Sequence, residues 1–221
     1  MIYNVLFDLD GTLTDPKEGI TKCIQETLSK LGRPAPSSDE LEWCIGPGLY
    51  DNFEKLLDSR DQKLIHKAID LYRLRYTKKG ILENYVYPGI IDTLDKLKKT
   101  GLRLFVATSK PTVFARKVMT NHSLDKFFDG IYGSELDDER SDKTKLVSSI
   151  LNAESLNNKR TLMIGDREHD IIGAKSNGIY AGGVLYGYGT KEELTQAGAD
   201  YLFAKPMEIV AFQKEKIRQS K

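Results

Sequence analysis

Residues 1–15 read MIYNVLFDLDGTLTD. A mostly apolar run, sufficient for a buried strand, ends by delivering two carboxylates two positions apart and then a glycine. Side chains of an extended chain alternate faces with period two, so Asp8 and Asp10 lie on the same side where the strand stops. Two negative charges held near each other are costly unless something positive sits between them.

Later segments resemble this strand at residues 103–108 (RLFVAT), 160–165 (RTLMIG), 179–185 (IYAGGVL) and 200–203 (DYLF). Amphipathic stretches of helical length occupy 89–99, 111–121, 143–151 and 206–219, with Gly89, Gly101, Pro111 and Pro206 marking ends of three of them. Short apolar strands alternating with helices predict an α/β fold, a doubly wound, Rossmann-like parallel sheet covered on both faces.

Between Asp15 and about Val86 the alternation breaks into helices without a convincing strand. Asp15 and Pro16 form an N-cap and first-turn pair, and Ile20, Ile24, Thr27, Leu28 and Leu31 recur at helical spacing until Gly32. Ser37 with Glu40 offers a capping box for a second helix, and 52–57 and 62–79 supply more. The expected organisation is a core of residues 1–14 and 87–221, with a helical cap of residues 15–86 inserted after the first strand and lying over its end. Trp43, Tyr50 and Phe53 are expected in the interior of that cap.

The 221 residues carry 33 Lys and Arg against 32 Asp and Glu, a net charge of +1. That balance gives no electrostatic case for a nucleic acid polymer or an anionic membrane as partner. No basic stretch precedes the first apolar residues, which run into Asp8 rather than a span or a signal segment, so a cytoplasmic location is expected. Cys23 and Cys44 lack metal-ligand spacing and read as small core hydrophobes.

In open parallel sheets ligands bind outside the carboxyl ends of the strands. The polar constellations fall at such ends: Asp8, Asp10, Gly11 and Thr12 after the first strand; Thr108, Ser109 and Lys110 after the second; Gly165, Asp166 and Asp170 after the third. Asp8, Asp10 and Asp166 would repel one another unless Mg²⁺ bound among them, an ion that takes a few carboxylate oxygens, waters and a phosphate oxygen. A phosphate needs further positive charge, which Lys143 supplies, while the hydroxyls and amides at Thr108 and Ser109 bind its oxygens. Phosphoryl transfer asks for an in-line nucleophile, and an aspartate serves by forming an aspartyl-phosphate. One aspartate of the pair would attack and the other would move protons. Gly11 lets the backbone turn tightly beside the phosphate. His169, inside the same stretch as Asp166, is set aside because Mg²⁺ prefers oxygen, and the YGYG run at 186–189 lacks the spacing of a dinucleotide fingerprint.

DLDGT at 8–12, VATSKP at 106–111, Lys143 and GDREHD at 165–170 resemble, in order, the four motifs of the haloacid dehalogenase (HAD) superfamily of phosphohydrolases. IGPGLYDNF at 45–53, DIIGAKSNGI at 170–179 and GVLYGYGTKEEL at 183–194 are similar to its phosphoglycolate phosphatase-like branch, which includes 5′-nucleotidases. The resemblance implies Asp8 as nucleophile and metal ligand, Asp10 as general acid and base with its backbone carbonyl on Mg²⁺, and Asp166 completing the metal shell. It implies Thr108 and Ser109 on the phosphoryl group, Lys143 neutralising it, and Asp170 supporting the shell, with Gly11 and Thr12 shaping the loop. Lys145 competes for the lysine role; Lys143 is preferred because it falls at the loop-to-helix boundary, whereas Lys145 would point into solvent.

The expected activity is Mg²⁺-dependent hydrolysis of small phosphorylated metabolites, phosphoglycolate or nucleoside 5′-monophosphates, by a monomer or weak dimer. A sugar-phosphate mutase would pass the same phosphoryl group to a second hydroxyl. A phospho-aspartate signalling module would also use an aspartate pair, a hydroxyl and a lysine, but has no need of a helical lid.

Overall fold

The computed structural model of the chain describes residues 2–136 and 142–218, with side chains through residue 213. In chain order the elements are β1 (Asn4–Phe7), β2 (Thr14–Asp15), α1 (Lys17–Lys30), α2 (Leu49–Leu57), α3 (Gln62–Lys78), β3 (Tyr85–Val86), α4 (Ile90–Lys98), β4 (Arg103–Pro111), α5 (Thr112–Asn121), β5 (Gly130–Ser134), α6 (Lys143–Ala153), β6 (Thr161–Gly165), α7 (Glu168–Ser176), β7 (Tyr180–Val184), α8 (Lys191–Gln196), β8 (Tyr201–Phe203) and α9 (Pro206–Arg218). Gln219, the expected end of the last helix, lies outside the described residues.

One six-stranded parallel sheet, ordered β5-β4-β1-β6-β7-β8, forms the centre. Alternation along the strands sorts its residues between two apolar layers. Leu6, Phe105, Ala107, Met163 and Ala181 face one side and pack with Val147 and Ile150 of α6, Ile171 and Ala174 of α7 and Leu194 of α8. Val5, Phe7, Leu104, Val106, Leu162 and Ile164 face the other, with Ile90 and Leu94 of α4, Val118 of α5 and Ile209 of α9. Helices on both faces explain why the strands read as nearly continuous apolar runs.

The strands β2 and β3 pair antiparallel, Thr14 with Val86 and Asp15 with Tyr85, so the chain leaves the sheet and returns to it side by side. Between them stand α1, α2 and α3. The buried stripe of α1, Ile20, Cys23, Ile24, Thr27 and Leu28, follows the expected spacing, and Asp15 Oδ1 accepts from the Lys17 amide at 2.9 Å.

Four expectations are corrected. The sheet holds an edge strand, β5, that the sequence reading omits: GIYGS carries two glycines and is only partly buried along its length, so it shows no apolar run. The interval from Asp15 to Val86, expected to hold no strand, is bounded by strand at both ends, though each strand is two residues long. Ser37 and Glu40 do form their capping contacts, the Ser37 amide donating to Glu40 Oε2 at 2.8 Å and the Glu40 amide to Ser37 Oγ at 3.3 Å, but a 3₁₀ turn at Glu42–Cys44 follows rather than an α-helix. Gly46, Pro47 and Gly48 come next and deny the turn a continuation. Trp43 is exposed with Lys55 Nζ 5.5 Å from its ring centroid, while Tyr50 and Phe53 are buried.

Phe7 is fully buried in the central strand, its ring edge-on to Phe128 with centroids 6.1 Å apart. Phe7→Ala is expected to lower the free energy of urea unfolding by about 3–5 kcal/mol.

Candidate active site

Phe7 pairs in register with Val106 of β4 and Ile164 of β6. The next residues along these three strands therefore emerge together at one edge of the sheet: Asp8, Ala107 followed by Thr108, and Gly165 followed by Asp166. The Asp8 amide still donates to the Ile164 carbonyl at 2.8 Å, which fixes where the carboxylate starts.

Lys143, the first residue of α6, is buried and reaches into this edge. Its Nζ lies 2.8 Å from Asp8 Oδ1 and 2.8 Å from Asp170 Oδ1, and donates to the Ala107 carbonyl at 3.0 Å. Burial alone would pull the Lys143 ammonium below its ordinary pKa, yet Asp170 and Asp8 carry it above. Lys145, two residues on, is exposed, with Nζ 3.6 Å from Asp142 Oδ2. Lys143 thus meets the acids and Lys145 does not.

Asp166 is completely buried. Thr12 Oγ1 donates to its Oδ1 at 3.3 Å, and the Tyr188 amide donates to its Oδ2 at 2.9 Å. Burial drives this carboxyl well above the ordinary carboxylate range, and the charges of Asp170 and Asp8 push the same way. The backbone must come very close here: at Gly11, φ +88°, a Cβ would stand 2.2 Å from Asp166 Oδ2, and at Gly165 one would stand 2.1 Å from Asp170 Cγ. Asp170 sits in the first turn of α7, where its Oδ2 accepts from the Arg167 amide at 3.2 Å. Burial raises its carboxyl as well, against the pull of Lys143.

Asp10 engages a different cation. Its Oδ2 accepts from Lys110 Nζ, both side chains being buried, while Oδ1 is buried without a partner among the described residues. Burial raises the Asp10 carboxyl and Lys110 opposes that rise. Lys110 Nζ also lies 5.2 Å from the ring centroid of Tyr76 on α3. Thr108 is buried and its Oγ1 accepts from the Lys110 amide at 3.2 Å; Ser109 is half-buried, its carbonyl accepting from Ser134 Oγ at 2.9 Å.

Asp8, Asp166 and Asp170 each offer an oxygen to one point, all within 4.8 Å of one another and all buried. Asp8, Asp10, Asp166 and Asp170 against Lys110 and Lys143 leave two negative charges in excess, and hard carboxylate oxygens suit a divalent cation such as Mg²⁺. The donor set fits the ion. Asp170, expected only as a support, contributes its own carboxylate to this cluster.

The sequence reading assigned no role to Lys110, to the Tyr188 amide or to Arg167. The YGYG run carried a usable signal, since a Cβ at Gly187 would stand 2.3 Å from Asp166 Cβ. Arg167 Nε donates to Glu193 Oε1 at 2.9 Å and its Nη1 to the Ile45 carbonyl at 2.7 Å, joining the loop after β6 to the residues before α2.

A family model described as haloacid dehalogenase-like hydrolase matches residues 5–184. The chain is 46% identical over 191 residues to a Pseudomonas aeruginosa protein named 5′-nucleotidase, covering 86% of each. It is 25% identical over 217 residues to a Vibrio parahaemolyticus protein named phosphoglycolate phosphatase, covering 94% of this chain and 95% of that protein. A crystal structure described as a predicted phosphatase from Clostridium acetobutylicum superposes with a TM-score of 0.92 at 40% identity, covering 97% of this chain and all of that one.

Removing one partner of a buried ion pair strands the other, so Lys110→Met is expected to cost about 3–5 kcal/mol in urea unfolding. Adding Asp10→Asn should recover part of that loss, giving a double variant less destabilised than the sum of the two single ones.

Proposed function

The chain belongs to the haloacid dehalogenase-like hydrolases and is a phosphatase of that family; on that premise we propose that it hydrolyses small soluble phosphate monoesters through an aspartyl-phosphate on Asp8. The observation that carries the proposal is the placing of the buried Asp8 carboxylate between Lys143 and the oxygens of Asp166 and Asp170. Relatives named 5′-nucleotidase and phosphoglycolate phosphatase support those two kinds of monoester as substrates.

In this reading Asp8 attacks phosphorus in line with the departing ester oxygen, and that oxygen takes a proton from Asp10. The P–O bond to the alcohol breaks as the bond to Asp8 forms. Asp10 then takes a proton from water, whose oxygen attacks the phosphorus and restores Asp8 with release of phosphate. Lys143 supports charge on the phosphoryl oxygens, and Thr108 and Ser109 hold them by hydroxyl and amide donors. Asp8, Asp166, Asp170 and the Asp10 carbonyl would hold Mg²⁺, which supplies charge neutralisation and orientation of the phosphate.

Residues 15–86 act as a cap over this edge of the sheet. The paired crossings at β2 and β3, the Tyr188 hydroxyl donating to Asp15 and the Arg167 contact with the Ile45 carbonyl support that role. A closed cap excludes bulk water from the leaving group.

Purified protein is expected to release phosphate from an aryl phosphate in the presence of Mg²⁺ and to lose that activity on addition of EDTA. Asp8→Asn should lower the rate by about four powers of ten or more. Undiminished turnover by that variant would refute the proposal.

A further inference from the structure

The two carboxylate oxygens of Asp10 are held unequally. Oδ2 accepts from Lys110 Nζ, while Oδ1 is buried without a partner among the described residues. The last torsion of an aspartate is broad and two-fold, so its oxygens exchange places unless one of them is fixed. A buried, charge-assisted hydrogen bond fixes it. Asp10 and Lys110 together border a cavity that Ile69 and Tyr76 of α3 and Phe114 of α5 also line.

Lys110 is itself aimed by an irregularity in the sheet. Ala107 of β4 pairs with Tyr132 of β5 and Pro111 with Ser134, so four steps along one strand oppose two along the other. Extra residues of this kind bend a strand and redirect its side chains. The detour is pinned by its neighbours: the Lys110 amide donates to Thr108 Oγ1 at 3.2 Å, and the Ser134 hydroxyl donates to the Ser109 carbonyl at 2.9 Å. At Gly133 of β5 a Cβ would stand 2.2 Å from the Lys110 carbonyl oxygen, so the two backbones are in close contact where the lysine begins.

We propose that Lys110 is a positioning residue for phosphoryl transfer: by holding Asp10 Oδ2 it reserves Oδ1 as the oxygen that gives its proton to the departing ester oxygen and later takes one from water. This rests on the phosphatase reading above and on Asp10 as the proton donor within it. Lys110 touches neither the phosphoryl group nor the leaving group, and it alters the rate only through Asp10.

The test uses two esters whose leaving groups differ in their need for a proton. Para-nitrophenolate departs as the anion, whereas the benzyl alcohol oxygen must be protonated as its bond to phosphorus breaks. The readout is kcat/KM for benzyl phosphate divided by kcat/KM for para-nitrophenyl phosphate, both measured with Mg²⁺ on one preparation. Each value covers the steps up to departure, and the fraction of folded protein cancels from the ratio. Lys110→Met is expected to lower the ratio by about 10- to 100-fold. Asp10→Asn, which removes the acid itself, should lower it by about 100-fold or more. Lys110→Met added to Asp10→Asn should leave the ratio where Asp10→Asn put it. Equal losses on both esters in Lys110→Met would overturn the assignment, since a phosphate contact or a purely structural lysine behaves in that way. A further fall in the double variant would overturn it too, because the effect would not pass through Asp10. If Lys110→Met alone does not fold, the double variant, in which both charges of the pair are gone, decides by the same comparison with Asp10→Asn. A parent that releases phosphate from neither ester, or an Asp10→Asn variant with the parental ratio, would instead sink the phosphatase reading or its proton donor.

Discussion

Like charges gathered out of water are the constraint around which this molecule is arranged. Asp8, Asp10, Asp166 and Asp170 are all buried at one edge of the sheet, where each carboxylate raises the cost of its neighbours. Lys143 and Lys110 divide the compensation: the first lies against Asp8 and Asp170, the second pairs with Asp10. Among the described residues Asp166 accepts from two neutral donors, the Thr12 hydroxyl and the Tyr188 amide, and burial pushes its carboxyl well up, with the charges of Asp170 and Asp8 acting the same way. The unmet charge centres on the group most in need of a cation, which is where the donor oxygens of Asp8 and Asp170 also converge.

Such crowding demands a rigid frame. Parallel pairing of β1 with both β4 and β6 sets three strand ends level, and apolar layers on both faces hold that register. Close approach then becomes a matter of omitted atoms. Gly11 and Gly165 admit the carboxylates of Asp166 and Asp170 at distances a methyl group would forbid. Replacing either by alanine adds one carbon atom, yet it would displace a carboxylate from the cluster.

Much of this was legible in the sequence because strand ends are local events. An apolar run followed by DLDGT, and another followed by GDREHD, fix which residues leave the sheet and on which side. The edge strand β5 escaped notice because GIYGS, only partly buried along its length, has neither alternation nor a run. Lys110 escaped for a different reason. Its partner lies 100 residues away, and a lysine beside Thr108 reads equally well as a phosphate ligand, a solvated charge or the mate of Asp10 until the loop after β4 is placed. Asp170 was visible as a carboxylate one helical turn from Asp166, but whether it faces the cluster depends on the start of α7, where the Arg167 amide turns it inward. The Ser37 capping box shows the converse, a local signal honoured in its hydrogen bonds and overruled by the Gly46-Pro47-Gly48 run that follows.

Arg167 ties the two halves of this arrangement together. It directly follows Asp166 in the loop after β6, while its guanidinium is spent on the Ile45 carbonyl and on Glu193. Gly46, at φ +105°, lies beside the same side chain, a Cβ there falling 3.2 Å from Arg167 Cγ. Residues 46–48 in turn border the cavity beside Asp10. The hydrogen bond from the Arg167 guanidinium to the Ile45 carbonyl is charge-assisted and holds that loop against the strand ends. Through this one side chain the residues before α2 are hydrogen-bonded to the loop that carries Asp166.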